Sequence, residues 1–254
     1  MPSALLDEAL APLRANPAGA AILLDVDGTL APIVDDPQAA RVPDKTVELL
    51  VAVVARFGLV ACVSGRGVID ARRVVGLRTI TYIGAHGAER LDPDAEQVQS
   101  EQLAAVVKPR LDLPPLDPGV GIEHKGSITA FHWRGAADQA SAEASVRLAA
   151  QQGEAQGFRV HWGRKVMELR LPTAVDKGVA VTDLIDQAGV SAALYAGDDV
   201  TDLDAFRALH AAPLAHALCV GVSSAEQPAE LAEVADLLVD GTEGMAEVLA
   251  ALVS

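Results

Sequence analysis

The chain reads as an α/β protein: a doubly wound, largely parallel (Rossmann-like) sheet with a smaller α+β domain inserted into it. Three observations lead there. Short apolar runs at 21–24, 59–63, 79–83, 192–196, 217–222 and 236–239 alternate with stretches of helical periodicity. Several runs stop abruptly at a polar side chain next to glycine, at Asp25, Ser64 and Asp198. Between the two outer sections, the pattern changes to short alternating strands around one helix.

In chain order, 21–24 is a buried strand that ends at Asp25 and a Gly-containing loop. Residues 44–56 have helical periodicity, 59–63 form a second strand, 68–75 a helix and 79–83 a third strand. The helix 174–188 stops at Gly189, where a glycine satisfies the left-handed cap. Strand 192–196 closes at Gly197-Asp198-Asp199, helix 202–209 follows, and strands 217–222 and 236–239 lead to a final helix 242–253 with Thr242 as its expected N-cap. Strand–helix alternation of this kind gives βαβ units and a parallel sheet with helices on both faces. The middle begins after the turn-rich 113–119 and holds strands at 121–123, 127–133, 158–162 and 166–171 and a helix at 138–152; 101–111 is a candidate first helix. The expected division is a core of 1–102 and 173–254 and an insert of 103–172.

Composition removes several function classes. The 254 residues carry 20 Lys and Arg against 35 Asp and Glu, a net charge of −15. Nucleic-acid binding needs a basic face to replace phosphate counterions, so that partner is not expected. Half of the residues are hydrophobic, which excludes intrinsic disorder. With 3% aromatics, Ala, Val and Leu must fill the core. Two cysteines, Cys62 and Cys219, make no disulfide framework and no zinc motif. The N-terminus lacks a basic and then apolar leader, and no run of about 18 apolar residues occurs, so a cytoplasmic protein without a membrane span is expected.

Ligands of doubly wound sheets bind outside the carboxyl ends of the strands, so Asp25, Ser64 and Asp198 can converge although they are far apart in sequence. Asp25-Val26-Asp27-Gly28-Thr29-Leu30 sets two carboxylates two residues apart. A carboxylate can attack phosphorus to form an aspartyl-phosphate, and a second one can protonate the leaving alcohol and then activate water. Asp25 is the candidate nucleophile and Asp27 the candidate acid/base. In Gly197-Asp198-Asp199-Val200-Thr201-Asp202, Asp198 and Asp202 are four apart and can face one point. Their hard oxygens suit Mg²⁺. The competing explanation is an acid-rich helix start. Ser64-Gly65-Arg66 ends a strand and is a candidate phosphate-binding turn, and Lys177 opens a helix where it can neutralise phosphoryl charge.

The order, strand-end placement and residue types of these four segments resemble the four motifs of the haloacid dehalogenase-like phosphotransferases. The resemblance implies that Asp25 is nucleophile, Asp27 acid/base, Ser64 phosphate ligand and Lys177 charge neutraliser, with Mg²⁺ linked to Asp25, Asp198, Asp202 and the backbone carbonyl of Asp27. An Asp two residues after the nucleophile is the pattern of that superfamily's phosphatases and phosphomutases. The insert falls where its second type of cap occurs.

Further segments narrow the likeness: Gly84-Ala85-His86-Gly87-Ala88-Glu89, Glu123-His124-Lys125-Gly126, His132-Trp133-Arg134, Arg164-Lys165-Val166-Met167-Glu168-Leu169-Arg170 and Gly197–Phe206. Together they resemble the bacterial trehalose-6-phosphate phosphatase family. Leu203 stands where that family usually has Glu, and Trp133 where it usually has Tyr. The resemblance implies hydrolysis of trehalose 6-phosphate, a sugar phosphate as ligand, and functional coupling to a trehalose-6-phosphate synthase; the expected oligomeric state is a monomer. Glu123, Lys125, Arg134, Arg164, Glu168 and His86 are the candidate sugar-binding residues, since mixed acids and bases can pair with hydroxyls that both donate and accept. An exposed face of a half-buried sheet would account for the same charges. His161, His210 and His216 stand in no motif and read as structural. Two alternatives remain: a phosphatase of another sugar phosphate, of the sucrose or mannosyl type, and a non-catalytic sugar-phosphate sensor or complex subunit. Intact Asp25, Asp27, Lys177 and Asp198 count against the sensor.

Overall fold

The structure is a computed structural model that describes residues 4–99, 112–125, 128–163, 165–170, 176–224 and 228–254. It divides into two compact units, Met1–Gln99 with Val175–Ser254, and Ser100–Ala174. The expected helix at 101–111 and the sugar-binding candidate Arg164 lie outside the described residues.

In the first unit, strands β1 (Ala20–Leu24), β2 (Leu59–Val63), β3 (Thr81–Gly84), β4 (Glu89–Leu91), β9 (Ala192–Gly197), β10 (His216–Ser223) and β11 (Leu237–Asp240) form a sheet of order β11-β10-β9-β1-β2-β3-β4. All neighbours run parallel except β3 and β4. The doubly wound reading therefore holds, with one antiparallel edge strand that the sequence pattern did not suggest. Helix α1 (Ala4–Ala15), also unanticipated, joins α2 (Asp44–Val54), α3 (Val68–Val75) and α8 (Gly241–Val253). Helices α5 (Lys177–Ala188), α6 (Asp202–Ala211) and the short α7 (Leu231–Val234) complete the unit.

Strand β1 shows how the sheet is held. Ala20, Ile22 and Leu24 enter one apolar core with Leu10 and Leu13 of α1, Leu50 of α2, Val74 of α3 and Leu249 of α8. Ala21 and Leu23 enter a second core with Val181 of α5, Phe206 of α6 and Leu231 of α7. Successive side chains of a strand point to opposite faces, so a fully apolar strand must be covered on both sides. Helix α5 ends as expected at Gly189, whose φ is +60°. Helix α8 differs: it begins at Gly241 with Asp240 as N-cap, so Thr242 is already inside it and does not cap.

The second unit is a four-stranded antiparallel sheet, order β5-β6-β8-β7, of β5 (Gly121–Lys125), β6 (Ile128–His132), β8 (Val166–Arg170) and β7 (Arg159–Gly163), with helix α4 (Gln139–Ala155). Asp138 caps α4 by accepting from the Ala140 and Ser141 N–H groups. Phe131, Trp133, Met167 and Leu169 pack on Val146 and Ala149 of α4. Trp133 and Phe158 are thus core residues, and Trp162 meets Trp133 edge-on.

Ile22→Ala deletes a fully buried side chain at the centre of the parallel sheet and should cost about 2–5 kcal/mol. Leu5→Ala, at an exposed position of α1, should cost within about 0.5 kcal/mol. Urea unfolding midpoints of the two variants check this.

Candidate active site

Asp25 follows the last residue of β1, and its N–H donates to the Ala196 carbonyl of β9, which ties the two strand ends together. Ser64 follows β2, and its N–H donates to the Ile83 carbonyl of β3. Asp198 follows β9. Because β9, β1, β2 and β3 are parallel neighbours, all three polar residues come to the same edge of the sheet.

The centre is a buried cation between carboxylates. Lys177, at the start of α5 and 3% exposed, donates at 2.7 Å to Asp25 Oδ1 and at 2.7 Å to Asp202 Oδ1. The Tyr195 hydroxyl donates to the same Asp202 oxygen at 2.6 Å. Asp202 Oδ2 accepts the N–H groups of Asp198 and Asp199 at 3.0 and 2.9 Å. Asp202 is therefore engaged by four donors at once, which fixes Lys177, Tyr195 and the turn after β9. Tyr195 was not singled out in the sequence, where it sits inside an apolar strand. Its signal is the general one that a buried tyrosine hydroxyl needs a partner.

Oxygens of Asp25, Asp198 and Asp202 lie within 4.8 Å of one another. Thr29 donates its hydroxyl to Asp198 Oδ1 at 3.2 Å. Two glycines make this approach possible. A Cβ on Gly28, whose φ is +79°, would sit 2.0 Å from Asp198 Oδ2, and one on Gly197 would sit 2.2 Å from Asp202 Cγ. No other residue type allows carboxylates this close to the backbone. Burial, opposed in part by Lys177 and reinforced by Asp202 and Asp198, holds the Asp25 carboxyl well above the usual range. Burial, with Asp202 beside it, pushes Asp198 up to about 7. Burial works against the charge on Lys177, but Asp202 and Asp25 prevail and raise its pKa. Three carboxylates beside one ammonium would carry an excess of negative charge if all were ionised, which the raised pKa values of Asp25 and Asp198 oppose, and their hard oxygen donors fit a divalent cation of the Mg²⁺ type.

Arg66 has partners that the sequence did not foretell. Its guanidinium grips Asp27 through both oxygens, Nε to Oδ2 at 2.6 Å and Nη2 to Oδ1 at 2.7 Å, and also pairs with Asp70. This planar fork fixes the orientation of the Asp27 carboxylate. The Ser64 hydroxyl oxygen accepts the Arg66 N–H at 3.1 Å and is buried. Gly65 leaves room for the His86 imidazole: a Cβ there would lie 2.8 Å from the ring. His86 belongs to the turn after β3, with left-handed φ and ψ of 57° and 31°, and its N–H donates to the Ser64 carbonyl.

In the second unit, strand register sets Glu123, Ala130, Glu168 and His161 side by side across the four strands. Glu123 pairs with His132 Nε2 at 3.1 Å, and Arg134 is exposed beyond β6. Lys125 is in β5, opposite Ile128.

The family profile of the trehalose-phosphatases matches residues 23–236. The chain belongs to the trehalose-phosphatase family. The trehalose-phosphate phosphatase of Mycobacterium marinum is 40% identical over 203 residues, which are 74% of this chain and 51% of that one. The Mycobacterium tuberculosis protein of the same name is 35% identical over 242 residues, 86% of this chain and 61% of that one. The chain thus spans about half to three-fifths of the length of these relatives. The C-terminal domain of C. albicans trehalose-6-phosphate phosphatase has the same fold, with a TM-score of 0.74 at 21% identity over 97% of this chain and 96% of that one. A haloacid dehalogenase-like hydrolase from Bacteroides thetaiotaomicron also shares it, with a TM-score of 0.62 at 15% identity over 91% of this chain and 98% of that one. Among the described residues, no helix is long and apolar enough to cross a membrane.

Asp198 binds its proton more tightly in the fold than in the unfolded chain, so its contribution to stability is complete below the ordinary carboxylate range and is lost as pH rises toward 7. In chelator, the melting temperature should fall between about pH 4 and pH 7. Asp198→Asn should flatten that slope and melt higher than the parent at pH 7. An unchanged slope in the variant would remove Asp198 as its source.

Proposed function

We propose that this chain hydrolyses trehalose 6-phosphate to trehalose and phosphate through an aspartyl-phosphate on Asp25. The observation that carries the reading is the buried Asp25–Lys177–Asp202 chain with Asp198 beside it, at the carboxyl edge of a parallel sheet. Structural and sensing roles need no carboxylate held in the strand end against an ammonium and two further acids. Membership of the trehalose-phosphatase family supports the choice of sugar.

In this mechanism an Asp25 oxygen attacks phosphorus in line, and the bond from phosphorus to the sugar oxygen breaks. Asp27 gives its proton to that oxygen. Asp27, now a carboxylate, takes a proton from water as the water oxygen attacks the phosphoryl group, which releases phosphate and restores Asp25. Lys177 holds Asp25 in place and offsets charge on the phosphoryl oxygens, while Ser64 and the N–H groups of its turn supply donors to those oxygens. We assign the cation to Mg²⁺, held by Asp25 and Asp198; Asp202, with four donors already on it, positions Lys177 and the turn. Bound there, Mg²⁺ would supply positive charge that lets an anionic substrate meet an anionic nucleophile. Recognition of the sugar is assigned to Glu123, Lys125, Arg134, Arg164 and Glu168, with His86 beside the phosphate turn. We further propose a cytoplasmic monomer whose substrate comes from a synthase.

Phosphate release from a panel of sugar phosphates, with and without Mg²⁺, tests the reading. Trehalose 6-phosphate should be the best substrate, and chelator should abolish turnover. A preference for another sugar phosphate would overturn the substrate and keep the chemistry. Asp25→Asn should remove turnover of every substrate by at least about a thousandfold, because an amide cannot form the phosphoryl ester.

Arg66→Ala separates two roles. If Arg66 positions the leaving-group acid, kcat/KM should fall about ten- to a hundredfold for the sugar phosphate and far less for an aryl phosphate, whose leaving group needs little protonation. Equal losses on both substrates would return Arg66 to the phosphate itself.

A further inference from the structure

A second group of potential ligands lies apart from the acidic centre. His210 is in the last turn of α6, Cys219 in the middle of β10, and Asp236 immediately before β11. One donor atom from each lies within 4.8 Å of the others. His210 Nε2 and Asp236 Oδ2 are 2.9 Å apart, and the Cys219 N–H donates to the same oxygen at 2.7 Å. The Cys219 thiol donates to the Phe206 carbonyl at 3.7 Å, one turn before His210 on the same helix face. Asp202 opens α6 and His210 is eight residues on, about 12 Å along the helix axis.

We propose that His210, Cys219 and Asp236 form a second cation site, for a thiophilic divalent ion of the Zn²⁺ type. Imidazole nitrogen, thiolate sulfur and carboxylate oxygen are the donors that zinc combines in three-ligand sites, with water as the fourth. Mg²⁺ prefers an all-oxygen shell, so this site and the acidic centre select different ions by donor chemistry. Access and burial are divided between the ligands. His210 and Asp236 are exposed, whereas Cys219 presents its sulfur from the buried side. Burial, with Asp236 nearby, raises the Cys219 thiol pKa and keeps it protonated, so binding must release the thiol proton to solvent. No electron changes hands. The competing explanation is a structural clasp in which Asp236 accepts the Cys219 N–H and pairs with His210 while the thiol donates to the Phe206 carbonyl; that clasp needs no thiolate, and the test turns on this difference.

The experiment titrates Zn²⁺ into the full chain in excess Mg²⁺, with calorimetry as readout, and Co²⁺ with absorption spectroscopy. The expected result is one equivalent of Zn²⁺ that Mg²⁺ does not displace, and a sulfur-to-cobalt charge-transfer band in the near ultraviolet. His210→Ala and Cys219→Ala should each weaken Zn²⁺ at least tenfold, Cys219→Ala should also abolish the band, and His216→Ala should change neither. His210 is on the surface, so its variant keeps the test decisive even where Cys219→Ala fails to fold. A silent Zn²⁺ titration, unchanged affinity in His210→Ala, or a missing thiolate band in the parent would each overturn the site and leave the clasp.

Discussion

The buried ammonium of Lys177 is the constraint around which the first unit is arranged. An isolated lysine at 3% exposure would lose its hydration without return, and an isolated buried carboxylate would do the same. Pairing answers both, but only where the geometry is held, since desolvation consumes most of the Coulombic gain of a buried pair. Here three separate segments must arrive together: the end of β1 for Asp25, the start of α5 for Lys177 and the start of α6 for Asp202. The second unit is inserted between the first and the other two, so the chain must leave the core and return before the pair can form. The Tyr195 hydroxyl and two backbone N–H groups satisfy the remaining acceptors of Asp202, which makes this carboxylate a fixed anchor. Asp198 takes a threonine hydroxyl where Asp25 and Asp202 take the ammonium; burial first and Asp202 next raise its pKa, and Lys177 offsets them only in part.

The sheet supplies the precision that this cluster needs. Parallel strands all carry their carboxyl ends to one edge, and β9, β1 and β2 are adjacent. Alternate residues of β1 pack into apolar cores on opposite faces and Asp25 ends the run, so a shift of register would misfit side chains of different size and carry a carboxylate into the sheet. The strand ends therefore cannot slide, and the loops beyond them begin from defined points. Gly28 and Gly197 then allow the carboxylates to approach backbone that any side chain would block. Both glycines are costly in conformational entropy, and the cluster they admit is electrostatically unfavourable without a cation. A sequence that tolerates both costs in one place concentrates them where charge must be gathered.

Much of this was legible before the fold was known, and the reasons are local. Apolar runs that stop at a polar residue beside glycine mark strand ends, and a βαβ order brings such ends together; Asp25, Ser64 and Asp198 needed nothing more. The omissions have local causes too. Leu6, Leu10 and Leu13 of α1 carry a helical stripe, but Pro12 and the exposed Leu5 blur it. Strand β4 spans only Glu89–Leu91, too short for a period of two to stand out. Contacts between side chains were the least legible. Arg66 follows Ser64 by two residues, and its sequence neighbours suggest phosphate. Its partners, Asp27 and Asp70, are chosen by where β1, β2 and α3 place three side chains, and only the fold determines that.

That arrangement bears on how a single carboxylate serves both halves of the proposed reaction. Both Asp27 oxygens accept from one guanidinium, and each keeps a further lone pair that can carry a proton. Any turn of one Asp27 oxygen toward a sugar oxygen in the proposed reaction would be made against Arg66. A guanidinium left alone in a partly buried position would oppose that turn, but Asp70 is already bound to Nη1, and its own pKa is lowered by Arg66 and Arg73 against the effect of burial. Arg66 therefore keeps an ionised partner whichever way Asp27 points. The cost of moving the acid is reduced to the loss of one fork of hydrogen bonds, and the same fork returns the carboxylate to a defined position for the hydrolytic half. A lysine in place of Arg66 has no planar fork and cannot define that orientation in the same way. The guanidinium therefore suits a carboxylate that, in the proposed reaction, gives up a proton and takes one back, just as the compact ammonium of Lys177 suits carboxylates that are held in place.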